Sequence, residues 1–274
     1  MSADCGVLAW GWLEAWDVVL ASLRSTLDMG HEAGEGYLMR VLTVFICLAI
    51  LFCVFPARAL SRVAVDDTVV LKGEKAMLRA ETRGRLFSKG GELVEFFVDG
   101  KSIGKTLSGG DGVAFKPFTS VTAGLRQISV KSGEDEDTGV LLCLKRDSSI
   151  VFVDVEGSLL ERLFSWKPRP GSQKAIKEIQ KRFPVVYLQT SIVGRGPVKG
   201  WLEENEFPKL PVVPWRQGAI FDEMAKKDVK IKAIIAGPKV IESAKEHKPL
   251  AFSFEASESA EQVKDWEKLS KKFQ

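Results

Sequence analysis

The sequence predicts an α/β protein in two parts: an all-β sandwich, then a parallel three-layer α/β region with helical crossovers. Three observations lead there. Up to residue 147, short strand-like runs recur between glycine and aspartate turns. From residue 148 onward, apolar runs alternate with helical segments, the pattern of parallel strands joined by crossovers. Finally, Ile150-Val-Phe-Val153 is an unbroken apolar run that ends in an acid, Asp154. Such a run reads as a strand buried on both faces, with the acid at its carboxyl end, where open α/β sheets place ligands.

Composition narrows the function classes. Hydrophobic residues at 45% and charged residues at 27% are ordinary for a globular chain, and 274 residues allow a full core. A net charge of +3, without a basic run interleaved with aromatics, excludes a nucleic-acid partner. Cys5, Cys47, Cys53 and Cys143 show no metal-ligand spacing, and His31 and His247 are the only histidines. A zinc site and a histidine-based triad are therefore set aside.

Residues 41–55 are uncharged and almost wholly apolar, preceded by Met39-Arg40 and followed by Pro56-Ala57-Arg58-Ala59. The run is short for a membrane span but suits a signal-peptide core, and Ala57-x-Ala59 is a small-x-small cleavage pattern. Segment 39–59 is expected to be a signal peptide, giving a periplasmic or secreted product. Residues 1–38 carry Arg24 against Asp4, Glu14, Asp17, Asp28, Glu32 and Glu35, the wrong sign for a cytoplasmic flank. They are read as an over-extended start. The rival is a helix from Val7 to Leu23, bearing Trp10, Trp12 and Trp16, ahead of an uncleaved membrane anchor.

Within 60–147, strands are expected at Thr68–Leu71, Ala76–Ala80, Leu93–Val98, Val113–Phe115, Arg126–Val130 and Val140–Leu144. Asp99-Gly100 is a hairpin turn that needs positive φ, and Gly109–Gly112 is a second such loop. The stretches Val94–Gly104, Asp111–Ala114 and Ala123–Val130 resemble bacterial immunoglobulin-like repeats, which implies a spacer or binding sandwich without chemistry of its own. The turn Glu134–Asp137 is read as a solvated hairpin tip in preference to a calcium site.

Within 148–274, the strand at 150–154 is followed by helices at Pro170–Lys181, Val198–Glu206, Gln217–Lys227, Lys239–His247 and Ser259–Lys271. Between them lie strands Val185–Leu188, Val212–Val213, Ile231–Ala236 and Leu250–Phe254. His247 reads as a cation at a helix C-terminus. Trp166, Trp201, Trp215 and Trp266 read as packing residues.

Ile150-Val-Phe-Val-Asp154-Val-Glu156-Gly157-Ser158-Leu159 resembles the first motif of the haloacid-dehalogenase-like (HAD) superfamily, in its capless, lipin-type, Rossmannoid form. That resemblance implies a phosphatase in which Asp154 attacks phosphorus and Glu156 acts as acid/base. It implies Thr190, Ser191 and Arg216 on phosphate, and Mg²⁺ held by Asp154 and Glu242. Departures accompany it: Glu156 is longer by a methylene than the usual aspartate, and Pro238 stands where the family has a metal-binding aspartate. Two functions stay open. One is a phosphatase-related protein with an eroded site and weak Mg²⁺-dependent hydrolysis. The other is a non-catalytic binding or structural module of the cell envelope, meeting a phosphorylated small molecule or an envelope protein.

Overall fold

The computed structural model describes residues 63–84, 87–161, 165–190 and 194–273. The expected leader 39–59 and the tryptophan-bearing segment before it lie outside these residues. Ser61–Gln274 groups as one compact unit. No described helix is long and apolar enough to cross a membrane.

Two sheets come from the first half of this unit. Strands β1 (Val63–Val65), β3 (Lys75–Thr82) and β6 (Val113–Thr119) form one, in the order β1-β3-β6. Strands β2 (Thr68–Leu71), β4 (Leu93–Val98), β5 (Lys101–Leu107), β7 (Gly124–Ser132) and β8 (Asp135–Leu144) form the other, in the order β2-β8-β7-β4-β5. The two-residue periodicity of a strand is plain in β3, where Leu78, Ala80 and Thr82 turn inward between partly exposed neighbours. Val65, Leu78, Phe96, Ile128 and Leu141 meet between the sheets. Asp99 and Gly100, with φ of 50° and 75°, make the β4–β5 turn that the dipeptide predicts.

The third sheet is wholly parallel. Its strands are β9 (Ser149–Asp154), β10 (Val185–Gln189), β11 (Val212–Pro214), β12 (Lys230–Ile235), β13 (Leu250–Ser253) and β14 (Glu261–Gln262). Their order is β11-β10-β9-β12-β13-β14, with β9 central. Among the described residues, five α-helices accompany them: α1 (Ser172–Ile179), α2 (Arg195–Glu204), α3 (Ala219–Lys226), α4 (Pro238–Ser243) and α5 (Trp266–Lys271). In α1 the Ala175, Ile176 and Ile179 stripe is buried, as its spacing requires.

The three-layer α/β class expected for this region is corrected. Strand outweighs helix among the described residues. One face of the parallel sheet is also closed partly by strands. Leu71 of β2 and Leu142 and Leu144 of β8 share an apolar cluster with Ile150 and Phe152 of β9. The physical reason lies in β8 itself. Leu141 and Cys143 face the sandwich core while Leu142 and Leu144 face the parallel sheet, so one strand serves two cores. A layer expected to be helical is thus shared between α3, α4 and the five-stranded sheet.

Four of the five expected helices are shorter than predicted, and two of them show a local cause. The helix expected from Gln217 begins only at Ala219, because Arg216, Gln217 and Gly218 take left-handed φ of 47°, 55° and 98°. The helix expected from Ser259 begins only at Trp266. Glu261–Gln262 instead pairs with β13, and Asp265 then caps the helix by accepting from the Lys268 backbone N–H at 2.8 Å.

A buried aspartate joins the parts. Asp67, in the β1–β2 link, accepts from the backbone N–H of Val140 at 2.8 Å and of Val212 at 2.8 Å, and pairs with Lys199 of α2 at 2.6 Å. Its side chain is 1% exposed. Burial pushes its carboxyl up, against the pull of Lys199 and the two backbone donors. Gly139 makes room, since a Cβ there would lie 2.8 Å from Asp67 Oδ1.

Candidate functional site

Three neighbouring strand ends build the candidate site. Asp154 closes β9, its register partner Leu188 lies two residues before Thr190, and Gly237 follows β12. Beyond Asp154 the chain makes a single π-helical turn, Val155–Leu159. Such turns are uncommon and often sit at functional positions.

Asp154 is 2% exposed, and both its oxygens are engaged. Oδ1 accepts from the Thr190 hydroxyl at 2.9 Å and Oδ2 from the Gly237 N–H at 3.2 Å. The Gly157 N–H bonds the same carboxylate. Glu156 Oε2 accepts from the Thr190 N–H at 3.0 Å and lies 2.9 Å from the Thr190 hydroxyl. One hydroxyl thus stands between two carboxylates, and its single proton serves one of them at a time. Burial, with the Glu156 charge adding to it, pushes the Asp154 carboxyl up to about 6, although the Gly157, Gly237 and Thr190 bonds pull the other way.

The turn is held tightly from below. The Ser158 hydroxyl donates to the Asp154 carbonyl, and the Ser158 carbonyl accepts from Arg169 Nε at 3.2 Å and Trp266 Nε1 at 3.3 Å. Arg169 also reaches the Leu160 carbonyl at 3.0 Å and stacks 4.3 Å above Phe254. A Cβ on Gly157 would lie 2.3 Å from Asp154 Oδ2, so glycine is required by close approach.

Of the residues singled out in the sequence, Asp154, Glu156 and Thr190 are brought together. Ser191 lies outside the described residues. Arg216 is an exposed residue paired with Glu223 at 2.9 Å. Glu242 is an exposed residue on α4 that accepts from Ser259 at 2.9 Å and pairs with Lys245 at 3.2 Å, which holds its carboxyl below the usual range. Pro238 opens α4 and offers no ligand. Among the described residues no group of three His, Cys, Asp or Glu side chains could hold a metal ion. The residues present do not fit Mg²⁺: one carboxylate is committed to internal donors and the other to the surface. Sequence reasoning missed Arg169 and Trp266 because carbonyl partners leave no side-chain pattern.

No family model matches the chain, and no curated relative matches it. Similar solved structures cover about a third of it. They include a polysaccharide lyase at 16% identity and a TM-score of 0.25, over 31% of this chain and 12% of that one. The D0-D1 domain of intimin is 15% identical with a TM-score of 0.28, over 32% of this chain and 56% of that one. Fibronectin(III)-like modules of Clostridium thermocellum CbhA are 20% identical with a TM-score of 0.23, over 30% of this chain and 97% of those modules.

The haloacid-dehalogenase assignment is corrected, and with it the phosphatase and hydrolase expectations. The similar structures include CARDB, intimin and fibronectin(III)-like β domains, with none of the haloacid-dehalogenase family among them. The reason is informational. An apolar run ending in an acid is what any strand buried on both faces leaves in a sequence. With Glu156 in place of the second aspartate and Pro238 in place of a ligand, what remains of the motif match is the apolar run and Asp154.

Proposed function

We propose that the chain is an exported, non-catalytic binding or structural module of the cell envelope. The observation that supports it best is the state of Asp154. Its carboxylate is buried and taken up by Thr190, Gly157 and Gly237, so it ties three strand ends together and offers no free oxygen to a substrate. A carboxylate engaged in this way contributes to order, and its removal leaves buried donors unmet. The sandwich, with chain-spanning contacts to the parallel sheet, supplies a rigid scaffold for a partner in the envelope. Export rests on the apolar run 41–55 and the Ala57-x-Ala59 pattern.

The test is hydrolysis of an aryl phosphate with Mg²⁺ by the full chain and by Asp154→Asn. Equal background rates are expected, and an Mg²⁺-dependent rate that the substitution abolishes overturns the reading. N-terminal sequencing of envelope-recovered protein is expected to begin at Leu60. A chain retaining residues 41–55 sinks the cleaved-leader part of the proposal.

A further inference from the structure

Asp67 and Lys199 of α2 meet where an ion pair is hard to keep. Lys199 Nζ lies 2.6 Å from Asp67 Oδ1, the carboxyl side chain is 1% exposed and the lysine 26%. In the other ion pairs between described residues the acid is at least 18% exposed. Two charges drawn out of water lose hydration that their attraction offsets only in part, whereas a neutral amide carries a much smaller penalty.

The two side chains are also complementary reagents. An ammonium and a carboxylate differ from an amide by one molecule of water, so the pair holds every atom the bond needs. Groups held this close react as if at about 10⁵–10⁸ M when well oriented. Burial pushes the Asp67 carboxyl towards its protonated form, and a proton passed to it from Lys199 leaves the free amine that attack requires. The Val212 N–H, 2.8 Å from Oδ2, is placed to hold the negative charge that attack at Cγ puts on that oxygen. Gly139 keeps the space clear, since a Cβ there would lie 2.8 Å from Oδ1 and 3.7 Å from Nζ.

We propose that Lys199 and Asp67 condense to an isopeptide bond in the folded chain. Nζ bonds to Cγ and the Cγ–Oδ1 bond breaks. Two of the three ammonium hydrogens leave with Oδ1 as water, and the third stays on the amide nitrogen. Nothing is oxidised or reduced. Oδ2 remains as the amide oxygen and keeps the Val212 N–H, while the water forms beside the Val140 N–H that Oδ1 accepted from. The bond ties the β1–β2 link to α2 across 132 positions of the chain, a covalent clasp between the sandwich and the parallel sheet's helices.

Tryptic peptide mapping by mass spectrometry of the full chain, denatured after recovery from cells, tests it. The parent is expected to yield a branched species joining 63–72 to 196–209, at the summed mass less one water and uncut after Lys199. Lys199→Arg keeps a cation beside Asp67 but offers no amine, and is expected to release 63–72 free. Boiled in detergent with a reductant, the parent is expected to migrate ahead of Lys199→Arg, because the closed loop survives unfolding. A parent digest with 63–72 only as a free peptide shows a plain ion pair and overturns the proposal, whether or not the variant folds. So does a loss of water that maps to other residues, or a branched species that persists in Lys199→Arg.

Discussion

Asp154 and Asp67 are both taken out of water, yet their surroundings differ in sign. Asp67 faces a lysine and two backbone donors, whereas Asp154 faces a second acid across a shared hydroxyl. The consequence is a pH dependence. The Asp154 carboxyl rises from 3.8 to about 6 on folding, so within that window the folded chain holds a proton that the unfolded chain releases. Stability attributable to this group is therefore greatest at the acid end of the window and falls as pH rises to about 6. Across that window the urea midpoint of the parent chain is expected to fall relative to that of Asp154→Asn as pH rises. An identical slope in both proteins would refute the assignment. The meeting of Asp154 with Glu156 and Thr190 was legible, because adjacent parallel strands bring their carboxyl ends together. The partners of Asp67 were not. Lys199 lies 132 residues away and Val212 145, and no local pattern encodes such a contact.

Among the elements, legibility follows burial. The strands with unbroken apolar runs, 140–144 and 150–153 among them, lie at or near their expected places. The elements that drifted are those set by backbone strain or by edge pairing. Arg216 and Gln217 adopt left-handed φ that nothing in Trp-Arg-Gln-Gly announces, so α3 starts late. Glu261–Gln262 becomes a strand only because β13 presents an open edge beside it. The glycine turn after Asp154 was expected, but its winding as a π turn was not, since that depends on Arg169 and Trp266 gripping the Ser158 carbonyl.

At the scale of the whole molecule, the shared strands β2 and β8 and the Asp67 bonds predict one unfolding transition for the described residues. Two kinds of reporter sit in different cores. Cys143 is buried in the sandwich core at 1% exposure, and Trp201 and Trp266 are buried at 6% and 0% in the cluster that Val151 and Val153 of β9 join. Thiol accessibility and tryptophan fluorescence are expected to trace the same urea curve. Two separated midpoints would show independent folding of the halves. Asp67→Ala leaves two buried backbone donors unmet and Lys199 with the Val65 carbonyl at 3.5 Å, and is expected to lower the common midpoint by the equivalent of about 3 kcal/mol.

The two-faced strand β8 also bears on how this protein could be recombined. Sandwiches that travel between proteins as cassettes turn a polar outer face to solvent, so they can be joined by any linker. Here Leu142 and Leu144 would be stripped bare by a cut after Asp147, and Ile150 and Phe152 would lose the strands that cover them. Neither half is portable, and a gene that borrowed one would have to borrow the other.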